Sequence, residues 1–265
     1  MIAQDIQDYL RSLAGEWQYP VDTVDTFKAG DPTVEVRGIA VGWMSYTWAL
    51  QRALDLDCNV FITHEPTYYS HWDNDEDILR LAPVRAKKRF IEENGLVIIR
   101  CHDLWDQMTD IGIPDSWGHL LTLGSAIDGD TYIRVYETGG RRAGDLARHV
   151  AQRTAAYGQP GVQLIGSEEK IIHRVSIGTG AITPYLDCVE RFEIDLAICT
   201  DDGIDYWRDG GFAIDMDIPI IVVNHMVSEE VGIQRLSEQL RQRFPAFPVH
   251  HIRQRCMYRL LGKSK

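Results

Sequence analysis

Three stretches of this 265-residue chain end an apolar run in a histidine with a carboxylate close behind. Residues 59–63 lead into His64 and Glu65. Residues 96–101 lead into His102 and Asp103, with Asp106 four positions past the histidine. Residues 218–223 lead through Asn224 into His225, with Glu229 four positions on. Imidazole nitrogen and carboxylate oxygen are the donors that hold zinc, iron or manganese when several converge. Two divalent ions held close together need carboxylates to offset their repulsion, a role suited to Asp106 and Glu229. Metal binding is the expected chemistry, with His102 or Glu65 available to move protons beside it.

Each residue also has an ordinary explanation. A histidine at a strand end is commonly a hydrogen-bonded loop residue. Ser228 reads as a helix N-cap that places Glu229 in the first turn, where it would complement the helix dipole, and Asp106 could cap a helix. Cys101 beside His102 reads as a buried, reduced thiol rather than a nucleophile. The same pattern at three strand ends is what favours a site over three coincidences.

The elements that would carry these residues alternate between strand and helix. A strand over 34–41, a helix from Ser45 to Leu54 and the strand ending at His64 form one parallel unit. A helix over 78–94, with Arg85, Lys87, Lys88 and Arg89 on an exposed face, leads to the strand ending at Cys101. Segment 70–77, acidic and containing His71, reads as a solvated loop. Strands follow over 131–136, 162–165, 175–177, 195–199 and 218–223, with helices over 143–157 and 185–191, and a last helix from Ser228 to Phe244. The class is α/β, with parallel sheet covered by helices. Ligands gather beyond the carboxyl ends of such strands, so the three endings are expected to share one site at the edge of one sheet. Residues 1–111 with 171–265 are expected to build the metal-binding core, and 112–170 a middle lobe or insertion.

Bulk composition narrows the partners. A net charge of −12 disfavours a nucleic acid held through a broad basic surface. The five cysteines are far apart and form no Cys-x-x-Cys, which argues against a disulfide framework and a zinc knuckle. No apolar run approaches the roughly 20 residues of a membrane span, and the N-terminal residues lack the pattern of a signal peptide, so a cytoplasmic location is expected. There is no zincin helix, Walker loop or nucleophile elbow, and Gly178-Thr179-Gly180 is too short for a dinucleotide fingerprint.

The ordered motifs bring a resemblance. Ile62-Thr63-His64-Glu65-Pro66, the pair His102 and Asp106, Thr200-Asp201-Asp202, and Asn224-His225-Met226-Val227-Ser228-Glu229 together resemble the Nif-three-like dinuclear metal-centre family, also known as GTP cyclohydrolase I type two-like, over about residues 34–243. The resemblance implies that His64, Asp106, His225 and Glu229 are metal ligands. Glu65 stands where the family carries a second histidine as its fifth ligand, and a harder, anionic donor there shifts the expected preference from zinc or iron toward manganese or magnesium. Asn224 and Asp201 replace family glycines, which brings Asp201 or Asp202 into consideration near the metals. The resemblance further implies two divalent ions (zinc, iron or manganese), two interlinked α/β lobes with mainly parallel or mixed sheets, and a toroidal homohexamer. The function it implies is a metal-dependent hydrolase acting on a nucleotide or related phosphorylated or heterocyclic small molecule, with His102 and Glu65 as proton-handling residues. The alternative is a metal-binding oligomeric scaffold or regulator without chemistry of its own.

Overall fold

The computed structural model describes residues 1–15 and 22–261. In chain order the elements are α1 (Ala3–Ser12), β1 (Phe27–Ala29), β2 (Ile39–Gly42), α2 (Thr47–Asp55), β3 (Val60–Thr63), α3 (Glu76–Leu79), α4 (Ala82–Glu93), β4 (Val97–Arg100), α5 (Asp103–Gln107), α6 (Ile113–Leu121), β5 (Asp128–Gly129), β6 (Arg134–Arg142), α7 (Ala143–Thr154), β7 (Gln163–Ile165), β8 (Ile171–Ile177), α8 (Tyr185–Phe192), β9 (Leu196–Thr200), α9 (Asp209–Asp215), β10 (Ile220–Val223), α10 (His225–Arg243) and β11 (Val249–His251). They group into two compact units. Unit one comprises residues 1–108 and 233–253, and unit two residues 109–232 and 254–265, so the division falls inside α10.

Unit one holds a five-stranded sheet in the order β1-β4-β3-β2-β11. Neighbours from β4 through β11 run parallel, and β1 pairs antiparallel with β4 at the edge. Every residue of β2, β3 and β4 is buried, as strands covered on both faces must be, and their sequences are apolar without alternation up to Thr63 and Arg100 at the ends of β3 and β4. Helices α2 and α4 make the crossovers that parallel neighbours require. They pack Ala49, Leu50, Ala53, Val84 and Ile91 against Ala40, Phe61 and Ile98 of the strands. The basic face expected on α4 is broken: Lys87 is buried, its Nζ donating to the Thr67 carbonyl at 2.6 Å and standing 4.7 Å over the Tyr69 ring.

Unit two holds a six-stranded mixed sheet, β5-β6-β8-β9-β10-β7, in which β8, β9 and β10 are parallel. Successive side chains on a strand point to opposite faces. Accordingly Ile221 and Val223 join one core with Trp117, Leu146 and Val150, while Ile220 and Val222 join the other with Tyr185, Phe192 and Ala213. Covering both faces explains why the run before His225 is apolar throughout.

Two expectations change here. The three histidine endings do not belong to one sheet: β3 and β4 lie in the first sheet and β10 in the second. The chain also divides differently. Residues 171–232 group with 112–170, because β8 hydrogen-bonds to β6, and β10 to β7, within one sheet. Among the described residues, no helix is long and apolar enough to cross a membrane.

Candidate functional site

In unit one, His64 and Glu65 follow β3 directly, and His102 is the N-cap of α5, two residues beyond β4. Helix α5 is short, and its start is tied down by residues distant in sequence. The buried Asp25 carboxylate accepts the backbone N–H groups of His102, Asp103 and Leu104 at 2.6, 3.1 and 2.9 Å. These are the donors a helix start leaves without an internal partner. In return, Asp103 accepts from the Thr23 hydroxyl at 2.8 Å and the Val24 N–H at 3.2 Å. Asp25 has its pKa raised by burial, even though its backbone hydrogen bonds oppose that. Sequence reading passed over Asp25 because its contribution depends on a contact 77 residues away.

That anchoring gathers His64, His102 and Asp106, whose ligand atoms all lie within 4.8 Å of one another. Nδ1 of His64 lies 3.1 Å from the Cys101 carbonyl, which can only accept, so Nδ1 carries the proton. Nε2, bearing the lone pair, then faces Asp106 Oδ1 at 3.4 Å. Two electron-rich atoms facing each other in a buried place call for a cation or a proton between them. A backbone carbonyl fixing the far nitrogen is also the usual support of a metal-ligating histidine. The donor set fits a divalent metal ion.

His102 stacks on His64, with ring centroids 4.6 Å apart, but its surroundings differ. Its Nδ1 is 3.0 Å from Asp103 Oδ1 and 3.5 Å from Asp106 Oδ2, and its Nε2 is 3.9 Å from Glu65 Oε1. Burial disfavours charge on this ring, but Asp106, the Asp103 hydrogen bond and Glu65 outweigh it and raise the pKa to about 9. Asp103 responds in the opposite direction: burial pushes up, while hydrogen bonds from His102 and Thr23 hold it at about 2. His102 is thus an imidazolium at neutral pH, suited to holding a proton beside the His64–Asp106 pair. Cys101 is a buried free thiol whose pKa is raised by burial, as a non-nucleophilic cysteine should be.

In unit two, β10 passes through Asn224 straight into α10, whose first residue is His225. Ser228 is therefore inside the helix and not its N-cap. Its hydroxyl donates back to the His225 carbonyl at 2.7 Å. Capping falls instead to Asp201, which accepts the His225 N–H at 3.0 Å and the Asn224 amide at 2.9 Å. Starting the helix at His225 puts Glu229 one turn on, so Nε2 lies 3.1 Å from Glu229 Oε2. The other nitrogen, Nδ1, donates to Asp202 Oδ2 at 2.7 Å, and that bond, working against burial, lowers the Asp202 pKa. Gly180 backs the pair in a left-handed conformation (φ +57°). A Cβ there would lie 2.8 Å from Glu229 Oε1 and 3.1 Å from His225 Nε2. The Gly178-Thr179-Gly180 turn, too short for a nucleotide fingerprint, keeps this space clear.

The sequence profile of the Duf34/NIF3 (NGG1p interacting factor 3) family matches residues 1–256. The chain belongs to the Duf34/NIF3 family. No curated protein matches it. Among solved structures, the fold is similar to the Staphylococcus aureus hypothetical protein SA1388, with 16% identity, a TM-score of 0.75, and 95% of this chain and 96% of that one covered. It is similar to protein ybgI, whose function is described as unknown, with 17% identity, a TM-score of 0.76 and the same coverage. Reduced HcgD from Methanocaldococcus jannaschii matches with 14% identity and a TM-score of 0.70, over 95% of this chain and 98% of that one. At such identities the likeness carries the fold. In this Duf34/NIF3 protein, His64, His102 and Asp106 form a group that could hold a metal ion.

Proposed function

We propose that this protein binds divalent metal ions and acts as a metal-dependent hydrolase on a nucleotide or related phosphorylated or heterocyclic small molecule. The observation that carries the metal reading is the convergence of His64, His102 and Asp106, with the proton of His64 committed to a carbonyl and its other nitrogen aimed at Asp106. His64 and Asp106 of unit one and His225 and Glu229 of unit two are the proposed ligands. A count of two ions, a homohexameric assembly and a cytoplasmic location are carried over as expectations from the sequence. A bound divalent ion supplies Lewis acidity at a substrate oxygen. His102 holds a proton next to the proposed ligands, positioned to protonate a leaving group. Glu65, facing His102 Nε2, favours that protonated state.

The test is turnover of a phosphoester and nucleotide panel by protein loaded with manganese, zinc or iron. Activity should vanish in His64→Ala and on chelation, with folding intact by circular dichroism; activity that survives chelation overturns the reading. The second reading, a metal-binding scaffold without chemistry, is favoured by the burial of His64 and Asp106. It expects bound metal and no turnover across the same panel.

A further inference from the structure

We infer that Glu65 is the counterion of the buried Arg100 guanidinium and not a metal ligand. The inference rests on the metal-binding reading above and reassigns one of its expected ligands. Thr63 and Arg100 are register partners on the neighbouring parallel strands β3 and β4, so Glu65, two residues past Thr63, comes out beside the Arg100 side chain. That side chain is 0% exposed. Its Nε donates to the His64 carbonyl at 2.8 Å and its Nη1 to the His71 carbonyl at 2.5 Å. Both acceptors are neutral; they fix the orientation of the guanidinium and leave its charge uncompensated. An arginine cannot shed its proton inside a protein, and a buried charge needs an opposite one. Glu65 supplies it, with Oε2 3.7 Å from Nη2.

The second carboxylate oxygen, Oε1, faces His102 Nε2 at 3.9 Å. Each oxygen of Glu65 therefore already faces a nitrogen of unit one. A Glu65 oxygen does lie within 4.8 Å of a His64 ring nitrogen, so reach alone would permit ligation. Charge decides against it. A divalent ion on this carboxylate would sit a few ångströms from a guanidinium held in place by two backbone carbonyls, where low polarity makes the repulsion strong.

The experiment compares the full-length protein with Glu65→Gln, Asp106→Asn, Arg100→Gln and the Glu65→Gln/Arg100→Gln double variant. Each is stripped with chelator, loaded with manganese or zinc, and assayed by elemental analysis and by urea unfolding of the stripped form. Glu65→Gln should keep the wild-type number of ions per chain, with affinity within about threefold, while Asp106→Asn loses metal. Unfolding of the stripped variants should show coupling between Glu65 and Arg100. A lower ion count in Glu65→Gln, or zero coupling, overturns the inference. Anomalous diffraction from the metal-loaded wild type needs no variant: a peak at about 2.0–2.6 Å from a Glu65 oxygen overturns it, and a peak on Asp106 alone supports it. If the wild type takes up no metal, the proposed function fails, and the coupling measurement still decides the role of Glu65 as counterion.

Discussion

His102–Asp106 and His225–Glu229 have the same four-residue spacing at the start of a helix that follows a strand, yet the two rings face different neighbours. In both, an aspartate from elsewhere in the chain anchors the helix start: Asp25 for α5 and Asp201 for α10. What differs is the far side of each ring. His225 gives its Nδ1 proton to Asp202 and turns Nε2 to Glu229, the arrangement of a ligand held by a supporting carboxylate. His102 is surrounded by Asp103, Asp106 and Glu65, and becomes a cation itself. In unit one the ligand-like histidine is His64, oriented by the Cys101 carbonyl. Identical spacing thus places one ring between Asp202 and Glu229 and the other among Asp103, Asp106 and Glu65, and the neighbours of each nitrogen set the chemistry proposed for it.

The comparison breaks most directly on metal affinity. His225→Ala should weaken binding by on the order of 100-fold or more, while His102→Ala should cost about tenfold, the low end for a supporting residue. Isothermal titration of chelator-stripped protein with manganese or zinc measures both, and equal losses would erase the distinction drawn between the two pairs. A smaller effect separates the two helix starts. Asp25→Ala strips three N–H groups of a buried acceptor and should cost about 2 kcal/mol in urea unfolding; Asp201→Ala, which leaves one helix N–H, should cost about 1 kcal/mol.

A further contrast concerns how each unit treats a buried cation. Arg134 in unit two is paired with Asp115, with Nε 2.6 Å from Oδ1. Lys87 in unit one is offered a carbonyl and a ring, and burial lowers its pKa to about 8. Below pH 8 the folded and unfolded states both carry the proton. From pH 8 to about 10.4 the unfolded state binds more protons, so stability rises with pH over that window. Lys87→Met should remove this rise from the difference between the two unfolding curves, and a difference flat across the window in wild type and variant alike would contradict the lowered pKa.

Much of the candidate site could be read from the sequence because the ligand types and their strand endings are local properties. The runs before His64, His102 and His225 are largely apolar, as strands buried on both faces require, with Thr63 and Arg100 as polar exceptions, and the chain indeed places a strand at each. The assignment to one sheet failed because strand sequences do not record their neighbours; β10 pairs with β9 and β7 through backbone groups that every residue carries. The α10 start was misplaced by three residues for a related reason. Ser228 is a good cap by type, but Asp201, arriving from the end of β9, supplies an acceptor at His225 first.

The sequence by itself determined the strands that end at the three histidines, the family and the histidine and carboxylate positions, since periodicity, composition and motif order are written along the chain. Only the tertiary structure decided which carboxylates face each histidine, that His102 becomes charged, and that a buried arginine stands beside Glu65. Those outcomes depend on desolvation and on charges brought within a few ångströms by folding, and neither quantity exists until the chain is packed.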